Sequence, residues 1–73
     1  MANKPVKKFK IGLVEGSVWK NDVDGGRSYY TTTFQRSYKN SAGEWEAADN
    51  FNQDDLLNLA KVAERCEEYI AQQ

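Results

Sequence analysis

The stretch Ser28-Tyr-Tyr-Thr-Thr-Thr-Phe-Gln-Arg-Ser-Tyr38 decides the reading of this chain. Nearly all of its side chains are β-branched or aromatic, which suits a pleated strand and not a helix. Alternation puts Tyr30, Thr32, Phe34, Arg36 and Tyr38 on one face and Tyr29, Thr31, Thr33, Gln35 and Ser37 on the other. Tyr30 and Phe34 mark the first face as the one that meets a covering layer.

Upstream, Asn21-Asp-Val-Asp-Gly-Gly26 is a run of turn formers, and Asp24-Gly25 is a strong hairpin signal. Before it, Phe9, Ile11 and Leu13 alternate with Lys10 and Gly12, while Val14 and Val18 take the opposite phase. That shift, beside Gly12 and Gly16, predicts a bulge or bend in a long first strand ending near Trp19. Splitting this segment near Gly16 would create a fourth strand. Residues 1–7 read as a flexible basic arm.

Downstream, Lys39-Asn-Ser-Ala-Gly43 is a turn, and Glu44 to Asn50 is a shorter strand carrying Trp45. A helix over 52–71 follows. Asn52 is its expected cap, Asp54 and Asp55 favour the positive end of the helix dipole, and Phe51 with Leu56 fits a hydrophobic staple. Leu56, Leu59, Ala60, Ala63, Cys66 and Ile70 form one stripe at helical spacing, widened by Leu57, Val62 and Tyr69. The sequence therefore predicts a single α+β domain over 1–73. A curved antiparallel sheet of three to four strands spans 8–50, and one C-terminal amphipathic helix packs on it.

Seventy-three residues bury too small a share of their surface for easy stability. One cysteine, Cys66, permits no internal disulfide, and with no histidine there is no zinc set, so no metal or cofactor is expected. Association remains, and the stripe is wider than one sheet face needs. Leu59, Val62, Ala63, Cys66, Tyr69 and Ile70 are the candidate interface of a homodimer. The lone thiol, the lack of a signal-length apolar run and the lack of a membrane span point to the cytoplasm.

Chemistry is excluded more firmly than it is offered. Without histidine there is no imidazole base, and the adjacent pairs Asp54-Asp55 and Glu67-Glu68 point about 100° apart on a helix, so neither converges on a substrate. An enzyme is not expected. Charge is uneven instead: residues 1–40 carry eight Lys/Arg against three acids, and residues 41–73 carry two against eight. Cations and rings interleave on the strands. Lys8, Lys10, Trp19 and Lys20 lie on the first, Arg27, Tyr29, Arg36, Tyr38 and Lys39 on the second, and Trp45 on the third. Such surfaces bind single-stranded nucleic acid, the cations neutralising phosphates and the rings stacking on unpaired bases. Either tryptophan could instead belong to the core.

Phe9-Lys-Ile-Gly12 opening a long strand, a hairpin, a second strand leading into Gly43-Glu44-Trp45 and a final helix together resemble a known family. The likeness is to the single-stranded-DNA-binding transcriptional coactivators of the positive-cofactor-four type and to the related Whirly proteins. It spans residues 8–71 on short motifs. It implies pairing through the C-terminal helices and single strands bound across the exposed strands. Ala47-Ala-Asp-Asn50 departs from the basic strand that usually precedes the helix in that family. The other reading of the same surface is a protein-interaction or structural module.

Overall fold

The computed structural model describes residues 4–73, and residues 1–3 of the expected basic arm lie outside the described part. Strands β1 (Lys7–Ile11), β2 (Val14–Val23), β3 (Arg27–Lys39) and β4 (Trp45–Ala48) form one antiparallel meander in sequence order. A 3-10 turn (Gln53–Asp55) leads into helix α1 (Leu56–Ala71). The fold is α+β, an open four-stranded sheet followed by a C-terminal helix.

The fourth strand arises at a different place from the one expected. Gly12 and Leu13 form a two-residue hairpin turn between β1 and β2, with Ile11 paired to Val14 and Gly12 at φ 61°. A positive φ at the first central position alone is the II′ pattern, which asks for glycine there. The phase shift between Leu13 and Val14 is thus a chain reversal and not a bulge. Gly16 lies inside β2, paired to Phe9 on one side and Phe34 on the other. The arm also shortens, because Lys7 belongs to β1 and the Val6 N–H donates to the Val18 carbonyl at 2.8 Å.

The second hairpin is tighter than its run of turn formers suggests. Asn21, Asp22 and Val23 stay in β2, paired to Tyr29, Ser28 and Arg27, and only Asp24-Gly25-Gly26 turns. Asn40 organises the third connection. Its Oδ1 accepts from the N–H groups of Ala42 (2.9 Å) and Glu44 (3.0 Å), and its Nδ2 donates to Glu46 at 2.6 Å.

Helix α1 lies over β1 and β2 and barely reaches β3. Val14 and Val18 meet Val62 and Cys66 in the fully buried core, with Phe9, Ile11, Tyr30, Phe34, Phe51 and Leu59 packed partly around them. Burial pushes the Cys66 thiol up, so it stays protonated at neutral pH as a small core hydrophobe. At Gly16 the helix comes close against the sheet. A Cβ there would fall 2.6 Å from Val62 Cγ1 and 3.0 Å from Cys66 Sγ.

Asn52 caps the 3-10 turn, as expected, and Asp55 caps α1 behind it, the two forming a capping box. Asp55 Oδ2 accepts from the Asn52 N–H at 3.1 Å, the reciprocal arm of a capping box. Leu56 is half exposed, so it adds little to a staple. No helix among the described residues is long and apolar enough to cross a membrane.

Candidate nucleic-acid interface

Residues directly opposite in an antiparallel pair share a face, so the register sorts every strand residue. The pairs Lys8–Ser17, Lys10–Glu15, Ser17–Thr33, Trp19–Thr31, Asn21–Tyr29, Val23–Arg27 and Lys39–Trp45 lie on the face away from α1. The opposite parity carries Phe9, Val14, Gly16, Val18, Tyr30 and Phe34 against the helix.

The nine expected contact residues divide between these faces. Lys8, Lys10, Trp19, Arg27, Lys39 and Trp45 come together on the outer face. Lys20, paired to Tyr30, and Arg36 with Tyr38 go to the helix side. Arg36 is held there by Asn50 and Asp55. Its Nε donates to the Asn50 carbonyl at 2.9 Å, its Nη2 to Asn50 Oδ1 at 2.8 Å, and Asp55 Oδ2 stands 3.7 Å away. The guanidinium also lies 5.4 Å from the Tyr38 ring centre. Arg36 ties the loop before the helix to the sheet from the helix side, away from the outer face.

On the outer face, strand side chains supply four cations against one carboxylate, Glu15. That carboxylate is already met twice, by Gln35 Nε2 at 2.9 Å and by Lys8 Nζ at 4.0 Å. Most acids of the second half of the chain lie elsewhere: Glu46 pairs with Tyr38 on the helix side, Asp54 and Asp55 are in the 3-10 turn, and Glu64, Glu67 and Glu68 are on α1 itself. The charge asymmetry seen along the sequence therefore becomes an asymmetry between faces, and the outer face is the basic one.

Three rings stand among these cations. Trp45 is 61% exposed, with the Lys39 ammonium 5.4 Å from its ring centre, a cation–π contact across the β3–β4 pair. Tyr29 is 51% exposed near the β2–β3 hairpin. Trp19 is half-buried, and its indole Nε1 donates to Thr33 Oγ1 at 2.9 Å. Asn21 Nδ2 donates in the same way to Thr31 Oγ1 at 3.1 Å. Sequence reasoning passed over Thr31, Thr33 and Asn21. Alternation with Tyr29 placed Thr31 and Thr33 on this face, whereas Asn21 read as part of a turn, and the bonds depend on a register that no local pattern reveals.

The expected dimer surface is redrawn as well. Val62 and Cys66 are fully enclosed in the core of their own chain, so neither can touch a second copy. Tyr69 turns its ring edge-on to Phe9, with ring centres 6.4 Å apart, on the β1 side of the helix. Leu59, Ala63 and Ile70 are partly accessible.

No family model, no curated protein and no solved structure matches this chain.

Proposed function

We propose that this protein is a single-stranded nucleic-acid-binding module that works as a homodimer, as the resemblance to the positive-cofactor-four and Whirly families implies. The observation that carries the reading is the convergence of Lys8, Lys10, Arg27 and Lys39 with Tyr29, Trp19 and Trp45 on the face that the helix leaves free. A docking face for an apolar protein partner would lack that charge. Cations answer the phosphates, and rings answer bases that are not already stacked. Duplex DNA keeps its bases stacked inside, so it should compete poorly.

Fluorescence anisotropy with a labelled oligonucleotide at about 50 mM salt, where phosphate contacts are strong, tests this directly. The expected result is binding of the single strand, falling steeply as salt rises, with much weaker binding of the duplex. No binding at micromolar protein, or equal affinity for both forms, would put a protein-interaction module in its place.

Support for the dimer comes from shape. The chain exposes 5524 Å², whereas a compact monomer of this mass exposes about 4,600 Å². Its radius of gyration is 14.1 Å, against about 11 Å for a compact domain of this length. Lys61, Arg65 and Glu68 line a groove with Phe9 on the β1 side, so the opposite flank of α1, with Leu56, Leu59, Ala63 and Ile70, looks toward the uncovered part of β3. Half-buried Tyr30 and Phe34 lie there. Light scattering should give a dimer at micromolar concentration. Leu56→Glu should weaken it by at least about tenfold, since an unpaired carboxylate is costly in an apolar interface. Leu56 is half exposed, so the core of each protomer should survive. A stable parent monomer would refute the assembly.

A further inference from the structure

Trp19 and Trp45 present their rings in different ways. Trp45 stands out into solvent, and its contact is with the ammonium of Lys39. Trp19 is tied down. It lies opposite Thr31 in the register, yet its indole N–H bonds to Thr33, so the ring runs diagonally along the strand. The position it crosses is that of Ser17, which is opposite Thr33. Ser17 faces away from the helix and is still only 7% exposed, so what covers it comes from the outer face itself. The bond to Thr33 draws the indole toward Ser17 and uses its single polar atom, and the ring stays only half-buried.

We propose that Trp19 is a preset stacking platform for one unpaired base, and that Thr33 is the positioning residue that holds it in place. This rests on the nucleic-acid reading above and deepens it. A ring already held in its bound orientation loses no rotamer freedom when a base arrives. Its N–H is spent on Thr33, so the platform offers a π-face and no donor to a base edge. Recognition at this point is therefore indifferent to base identity, as stacking generally is.

The test compares the full chain with Thr33→Val and Thr33→Ser, using a labelled single-stranded oligonucleotide of about 15 nucleotides. Valine keeps the shape and strand preference of threonine and removes the acceptor, whereas serine keeps the acceptor. Thr33→Val is expected to weaken binding roughly 2- to 12-fold, the cost of ordering one released side chain, with an unchanged salt slope. The Trp19 indole N–H resonance should shift and exchange faster with water. Thr33→Ser should restore both. Parent-like binding by Thr33→Val with a shifted indole resonance would overturn the platform while leaving nucleic-acid binding intact. Equal weakening by Val and Ser would overturn it too, because the hydroxyl would then be irrelevant. A parent chain that binds no single strand would sink the functional reading, and this one with it.

Discussion

Gly16→Ala should lower the unfolding free energy by about 1–3 kcal/mol, the usual cost of forcing an extra carbon into a packed core. In most strands the same change would be harmless or helpful, since glycine weakens a strand interior. Here the new Cβ would sit 2.6 Å from Val62 Cγ1, 3.0 Å from Cys66 Sγ and 3.2 Å from Phe34 Cε1. Val62 is β-branched and fully buried, with little freedom to turn aside. The helix would have to lift from β2, and all four fully buried hydrophobic side chains among the described residues meet at that contact. A chain of this length has only about 4–11 kcal/mol in total, so the loss is a large fraction. Urea denaturation followed by circular dichroism measures it. Parent-like stability in Gly16→Ala would mean that the helix does not approach the sheet at Gly16.

That example also shows what the sequence could and could not reveal. Ser28 to Tyr38 was legible because its β-branched and aromatic run is strong and unbroken, and β3 extends it by one residue at each end. The helix was legible from its acidic start and apolar period, and α1 ends at Ala71 as expected. Gly16 was misread because its reason is remote. A glycine in an apolar run looks like a local bend, and Val62 and Cys66, which require it, lie far along the chain. Asn21 and Asp22 failed in the opposite way. Their turn preference is real, but pairing with Tyr29 and Ser28 and the Asn21–Thr31 bond outweigh it. Within the site, alternation alone separated Arg36 and Tyr38 from Thr33 and Tyr29. Placing Lys20 beside Tyr30, and hence on the helix side, required the register.

Changing Lys8, Lys10, Arg27 and Lys39 together to glutamine should reduce single-strand affinity by on the order of a thousandfold at about 50 mM salt. Each phosphate contact on a single strand contributes about 0.7 to the slope of log affinity against log salt, so the slope should flatten by close to 3 if all four take part. The control is Lys20 and Lys61, an exposed lysine at the helix-side parity and one on the helix, also changed to glutamine. If long-range attraction to the whole chain were responsible, the loss per charge removed would be the same in both variants. If the outer face binds the strand, the control should keep its salt slope. A simpler role exists for two of these residues, because Lys8 and Lys10 sit on the edge strand β1, where lysine commonly prevents edge-to-edge aggregation. In that case the fourfold variant would aggregate, and its soluble fraction would bind as the parent does. Arg27 and Lys39 separate the two roles. They lie on β3, away from the edge strand β1, so losing these two alone should still cut the salt slope by about 1.4.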